Sequence, residues 1–305
     1  MIIAGMNGLG DGLFQRAFVK NLRAPVYLQT PWPELYSDIP GVHFVRSATR
    51  LRTQQKNLAR QAATVWERQP SGAVRQISYG KEGIMNGMRG AFGVEPAELD
   101  LPPLPPSPVD GDYVVVRPVT IRAEWVAESR NPLPEYVARA AAVAKDAGLT
   151  VVSVADLVPG VEWALDPLPV ADIQYHAGEL DVLNLLSLVA NARAVIGGIG
   201  WIVPAVLAAR VPAFIVCGGN GGFNAPALIA GPPLDSSRVH FAIPDRFCRC
   251  TVARHNCDKR ISGFEKQIAA FAAGHFHVES VARNGVRQHP ADGVRGGLLA
   301  GVSAA

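Results

Sequence analysis

Charge is scarce in this 305-residue chain: Asp, Glu, Lys and Arg make up 18% of it, against 49% hydrophobic residues. That balance excludes a disordered polyelectrolyte and leaves ample material for packed cores. Cysteine is rarer, four in all, with three of them between 248 and 257. Such crowding is not the framework of a disulfide-stapled secreted domain. Gly and Pro interrupt every apolar run, so none reaches the ~20 residues of a membrane span. The opening Met1-Ile2-Ile3-Ala4-Gly5 lacks the basic stretch and cleavage site of a signal peptide and reads as a first strand, so cytoplasmic residence is expected. Nucleotide fingerprints are missing too. The dinucleotide pattern Gly-x-Gly-x-x-Gly would need glycine where Asn7 stands. The second strand ends in Gln29-Thr30 without a ribose-binding acid, and there is no Gly-Lys-Ser/Thr of a P-loop. No helix-turn-helix or common zinc-finger spacing marks a nucleic-acid reader.

What is present is a repeated α/β rhythm. Residues 2–4 read as a buried strand, 5–10 as a Gly-rich loop, and a helix starts near Asp11 with Leu13, Phe14, Ala17, Phe18 and Leu22 on one face. Strands are expected at 26–30 and 43–45, and one helix over 49–66. Residues 101–112, Leu-Pro-Pro-Leu-Pro-Pro-Ser-Pro-Val-Asp-Gly-Asp, form a Pro-rich bridge in which helix cannot continue. Strands then alternate with helices at 113–117, 132–147, 149–154, 180–192, 194–197, 201–210, 212–217 and 239–243, and a last amphipathic helix covers 262–274. The expected architecture is two Rossmann-like doubly wound domains facing a cleft: 1–105, a linker at 106–112, and 113–262. A helix at 263–277 returns toward the first domain, and a loosely ordered tail follows at 278–305.

The charge that exists is unevenly placed. Between Arg46 and Arg89 nine basic residues face two acidic ones, a net of +7. Arg52, Lys56 and Arg60 recur every fourth residue, as a stripe on one helix face. A solvated outer face and a wall for an anionic acceptor both fit that stripe, and the positive field favours an anionic partner. Asp110-Gly111-Asp112 has the form of a metal-binding Asp-x-Asp, but its place in the bridge makes it a turn.

Gly8-Leu9-Gly10-Asp11, followed by Gln15-Arg16 and Phe18, resembles the opening of glycosyltransferase family 9, the heptosyltransferase-like enzymes, including divergent members carried by tailed phages. Val114 to Pro118 with Arg122 and Trp125, His176 to Leu180, Leu185 to Val189, Ala194 to Trp201 and Ala205 to Pro212 are similar to its second domain. The resemblance spans about residues 1–275 and implies the GT-B arrangement of two facing domains. It also implies a metal-independent inverting transfer from a nucleotide sugar. By that resemblance Asp11 is the catalytic base, and a carboxylate at a helix start is expected to stay ionised. On residue pattern alone it is equally a helix cap.

Donor candidates are Arg117 and Arg122, His176, the loop Gly198-Ile199-Gly200-Trp201 at a helix N-terminus, and Gly218-Gly219-Asn220 after a strand. Acceptor candidates are Gly10, Arg16, Trp32, Arg52, Lys56 and Arg60. Gly198 and Val203 stand where the family usually carries Asp and His. That departure keeps a catalytically degenerate binding protein as an alternative, beside a nucleotide-sugar epimerase. The expected partners are a nucleotide sugar and an anionic acceptor, either lipopolysaccharide core or a hydroxymethylated base of phage DNA. Separately, Cys248, Cys250, His255 and Cys257 supply four soft ligands within ten residues, compatible with a structural tetrahedral zinc. A reduced loop without metal is the plainer alternative.

Overall fold

The computed structural model describes residues 1–276. The first half carries β1 (Ile2–Ala4), α1 (Leu9–Val19), β2 (Val26–Thr30), a 3-10 turn (Pro33–Tyr36), β3 (Val42–Arg46), α2 (Arg52–Arg60), β4 (Val74–Gln76) and α3 (Ile84–Phe92). The second carries β5 (Tyr113–Val116), β6 (Thr120–Arg122), α4 (Pro134–Asp146), β7 (Thr150–Val154), β8 (Glu162–Ala164), β9 (Ile173–Tyr175), α5 (Val182–Ala190) and β10 (Ala194–Gly198). It continues with α6 (Ile202–Ala209), β11 (Ala213–Val216), α7 (Gly221–Asn224), α8 (Pro226–Ile229), β12 (Val239–Ala242) and α9 (Phe264–His275).

Two parallel sheets result, in the orders β3-β2-β1-β4 and β12-β11-β10-β5-β7-β9, with β6 and β8 as an antiparallel ribbon. In each sheet the winding reverses beside the first strand, between β1 and β4 and between β10 and β5. Ligands dock at such reversals, beyond the carboxyl ends of the strands. The chain is thus a pair of doubly wound units.

Burial on both faces explains the apolar strands of the larger sheet. Tyr113 and Val115 of β5 face one core with Val195 and Ile215, while Val114 and Val116 face the other with Ile196 and Phe214. The first core runs without a break into the first domain through Leu13, Phe14 and Ile202, where α1 packs on α6. The second lies under α4 and α9.

Two expectations change. The helix over 49–66 is confined to α2, because Trp66 bridges to Phe44 and the Glu67 N–H bonds Phe44 O at 2.8 Å. This pairing draws the chain after Gln61 back to the sheet edge. The last helix does not return toward the first domain: Phe264, Ile268 and Phe271 bury against Tyr136, Val137 and Phe214 of the second. The expected loose tail at 278–305 lies outside the described residues. No described helix is long and apolar enough to cross a membrane.

The stretch from 93 to 112 contains no helix or strand. It is nevertheless anchored. Asp100 pairs with Arg16 at 2.9 Å, Ser187 Oγ donates to Pro105 O at 2.6 Å, and Ser107 bonds the Tyr113 hydroxyl at 2.8 Å.

Candidate active site

The site grows from the two strand-order reversals. β1 ends at Ala4, and the chain turns through Gly5 to Gly8 into α1. Gln15 clamps this turn, accepting from the Met6 N–H at 2.8 Å and donating to Met6 O at 3.1 Å. Trp32 Nε1 donates to Asn7 O at 2.8 Å. Gly8 caps α1, and the Asp11 carboxylate folds back over it so closely that a Cβ at position 8 would lie 2.3 Å from Asp11 Oδ2. Gly10 serves a different contact: a Cβ there would stand 3.1 Å from Trp201 Cα. The first turn of α1 therefore meets the start of α6 with glycine between them.

A cavity of about 370 Å³ opens at this meeting point. From the first domain Gly10, Asp11, Trp32 and Tyr79 line it, and from the second Arg117, Arg122, Arg130, Ile199, Gly200 and Trp201. Asp11 accepts a hydrogen bond from Tyr79 and lies near Arg130. Burial pushes its carboxyl up to about 6, and the Tyr79 hydroxyl and the Arg130 charge keep it from rising further. Asp11 thus still ionises at neutral pH, as expected of a carboxylate at a helix start, but it holds its proton more tightly than that position alone would give. Desolvation between α1 and α6 outweighs the field of the helix start. Tyr79 is itself raised by burial and by the Asp11 charge, so it remains a proton-bearing donor.

The opposite wall is an arginine cluster. Burial, together with the like charges of Arg122 and Arg130, pushes Arg117 down to about 10. Its Nη2 reaches Thr120 Oγ1 at 3.3 Å. Arg122 pairs with Glu162 at 2.7 Å, and Glu162 is only 2% exposed. Arg130 keeps a buried Nε with no hydrogen-bond partner, and burial is the main influence lowering it as well. Positive charge assembled at a cost in desolvation, with donors unspent, suits a polyanion arriving from the cavity. Gly200 and Trp201 at the start of α6 add helix N–H groups.

Other expected site residues fall elsewhere. Arg16 is 1% exposed and saturated by Asp38 at 2.6 Å, Asp100 at 2.9 Å and Leu35 O at 2.7 Å. It braces the first domain and does not line the cavity. The stripe on α2 is neither an idle outer face nor an open acceptor wall, because each of its side chains, the exposed Arg60 included, crosses to the second domain. Arg52 pairs with Asp156 at 2.9 Å and Glu162 at 3.3 Å. Lys56 pairs with Asp156 at 3.2 Å and donates to Ala177 O at 2.9 Å, while Arg60 donates to Gly178 O at 2.6 Å and Leu180 O at 2.9 Å. Lys56 and Arg60 still form part of the cavity wall.

His176 bonds Ser153 Oγ at 2.8 Å and sits behind the cavity. Gly198 packs on Pro132. Gly218, Gly219 and Asn220 do not line the cavity either. Cβ atoms at 218 and 219 would collide with Arg130 O at 2.4 Å and Cys257 Sγ at 2.3 Å, and Asn220 bonds Ser129 and Val252. Tyr79 and Arg130 were missed by sequence reasoning. Their positions, after β4 and in the connection between β5 and α4, are the cleft-side loops of doubly wound sheets, which was the available signal.

Cys248, Cys250, His255 and Cys257 converge, with one ligand atom from each lying within 4.8 Å of the others. Individual separations are 3.4 Å (Cys248 Sγ to His255 Nδ1), 3.3 Å (His255 Nδ1 to Cys257 Sγ) and 3.6 Å (Cys250 Sγ to Cys257 Sγ). Metal–sulfur bonds of about 2.3 Å and metal–nitrogen bonds of about 2.0 Å give tetrahedral edges of roughly 3.5–3.8 Å. The four groups therefore fit a tetrahedral ion such as zinc.

No family model matches the sequence, and no curated protein matches it. Solved structures do match in fold, and the class they define is that of the two-domain glycosyltransferases. One is the iron-containing dodecameric glycosyltransferase TibC of enterotoxigenic E. coli (TM-score 0.59, 16% identity, 90% of this chain and 75% of that one). A second is a glycosyltransferase family 9 protein of Veillonella parvula (TM-score 0.56, 11% identity, 90% and 96%). TibC with ADP-D-beta-D-heptose aligns at a TM-score of 0.57 with 14% identity over 90% and 76%. At these identities the shared property is the fold, and this chain has it across 90% of its length.

Proposed function

We propose that the protein is a glycosyltransferase that moves a sugar from a nucleotide diphosphate to an acceptor hydroxyl, with inversion at the anomeric carbon. One observation carries this reading: a raised carboxylate and an underpartnered arginine cluster face each other across a single interdomain cavity in a fold shared with TibC, which is known with ADP-heptose. The acceptor oxygen attacks the anomeric carbon as its proton passes to Asp11. The bond to the diphosphate oxygen breaks, and the electron pair leaves with the nucleoside diphosphate. A base near 6 is ionised at neutral pH yet stronger than an ordinary carboxylate, and such a group contributes ~10²–10⁴-fold. Arg117, Arg130 and the α6 start stabilise the departing charge, so the chemistry itself draws on protein groups and not on a metal. An ion held by the Cys/His cluster would be structural, since four protein ligands leave no open position.

The acceptor follows less from α2 than the sequence suggested, because Arg52, Lys56 and Arg60 are engaged across the cleft. An anionic acceptor, whether lipopolysaccharide core or hydroxymethylated DNA, would instead meet the exposed Arg46, Arg50 and Arg68 outside the cavity. The test is a panel of nucleotide sugars offered to wild type and to Asp11→Asn. Consumption of one donor by wild type, with donor binding but no transfer in the variant, supports the proposal. Equal turnover in both removes Asp11 as the base. Binding without consumption favours the degenerate binding protein that Gly198 and Val203 suggest, and epimerised donor favours the epimerase.

A further inference from the structure

The segment that carries the four soft ligands has no helix or strand of its own. Residues 251–256 are exposed and in neither helix nor strand. Yet this segment grips the loop that presents Arg130. Ala253 O accepts from the Ser129 N–H at 2.9 Å, and Val252 O accepts from Ser129 Oγ at 2.5 Å and from Asn220 Nδ2 at 2.9 Å. Asn220 Nδ2 also donates to Ser129 Oγ at 3.0 Å, and the Gly219 N–H donates to Ser129 O at 2.7 Å. Further along, Lys259 Nζ donates to Glu128 O at 2.7 Å. The Gly221 and Gly222 N–H groups bond Cys248 O and Cys250 O at 2.8 and 3.1 Å. Gly218 and Gly219 leave no gap between the two loops. Residues 252 and 253, which make the grip, lie between ligands Cys250 and His255.

We propose that a tetrahedral divalent metal at Cys248, Cys250, His255 and Cys257 is a positioning centre for the active site: by fixing residues 248–257 it holds loop 127–131, and so places Arg130 against Asp11 and the donor diphosphate. The role given to Arg130 rests on the glycosyltransferase reading; the mechanical link to the loop does not. A segment with no apolar anchor gains its shape from ligation, and metal binding then becomes local folding energy. Outer partners of such sites commonly change affinity or activity ~10–100-fold.

The experiment compares metal-free protein, prepared with chelator and reductant, with the same sample reloaded with cobalt or zinc. Cobalt reports tetrahedral thiolate ligation by its visible spectrum. Hydrogen exchange at Ser129 and titration with ADP, UDP and GDP report the loop and the site. Loading is expected to protect the Ser129 amide at least ~10-fold and to tighten one nucleotide by about the same factor. Asn220→Gly keeps the left-handed backbone of Asn220 (φ 58°) but deletes its bonds to Ser129 and Val252. It should retain the cobalt spectrum and lose most of the nucleotide gain. Equal Ser129 exchange with and without metal overturns the proposal, as does purified protein that takes up no cobalt and carries a Cys250–Cys257 disulfide. If no nucleotide binds in any state, the glycosyltransferase reading falls, while the exchange difference still reports the link.

Discussion

Replacing Asp11 by Asn should stabilise the protein in a way that depends on pH. Folded Asp11 keeps its proton up to about pH 6, whereas the same side chain in an unfolded chain releases it near 3.8. Below that lower value both states are protonated and the carboxyl behaves much like an amide. As pH rises through 6 the folded state must ionise a desolvated group, and stability present at low pH is lost. The displacement corresponds to about 3 kcal/mol at most, fully developed above pH 7. Asn keeps the volume and an oxygen for Tyr79, so little else changes. About a third of the effect is already present at pH 4.5, so for a chain of this size the gain in Tm at pH 8 should exceed that at pH 4.5 by about 3 °C. Thermal unfolding of both proteins across that range measures it. The same Tm difference at both ends, or a less stable variant at pH 8, would refute burial as the cause of the raised carboxyl. In the same protein transfer should fall ~10²–10⁴-fold, while wild-type activity declines on its acid side with a midpoint near 6.

Gly10→Ala places a methyl against the Trp201 backbone. Nucleotide affinity should fall by about tenfold or more in isothermal titration, with the circular dichroism spectrum retained. Arg16→Met removes a buried guanidinium from Asp38 and Asp100, and denaturant unfolding should show a loss of about 2–3 kcal/mol. Nucleotide binding by the folded fraction should be unchanged, whereas an acceptor-binding Arg16 would cost transfer and spare stability. Arg52→Ala leaves Glu162 with Arg122 alone. About 1–3 kcal/mol should be lost, and small-angle scattering should show a larger radius if α2 holds the halves together.

Much of the framework could be read from short-range pattern. The loop from Ala4 into α1, the Pro start of α4, Asp181 capping α5 and the apolar β5, β10 and β11 each declare themselves within a dozen residues. β4 and α3 were not legible, since Val74–Gln76 is exposed throughout and Ile84–Phe92 contains two glycines. The candidate site divides the same way. Gly8, Gly10 and Asp11 were visible through the family resemblance of their loop; Gly8 is needed locally beside Asp11, whereas Gly10 is needed for its contact with Trp201, which no local pattern shows. The stripe Arg52-Lys56-Arg60 showed its spacing but not its partners, which sit about a hundred residues later at Asp156, Glu162 and Gly178. Likewise Gly218-Gly219-Asn220 looks like a ligand loop in isolation. Only the packed structure shows Ser129 and the cysteine segment filling the space a ligand would need.

The anchoring of the Pro-rich bridge also limits how the two halves can move. Its first end is tied down at Asp100 and its middle at Pro105, and the crossing between them, Leu101-Pro102-Pro103-Leu104, rests on the core through its two leucines. Two of those four residues have a fixed φ. A crossing this short, stiff and packed restrains the two halves from separating, and it works together with the α1–α6 contact to keep those two helices face to face.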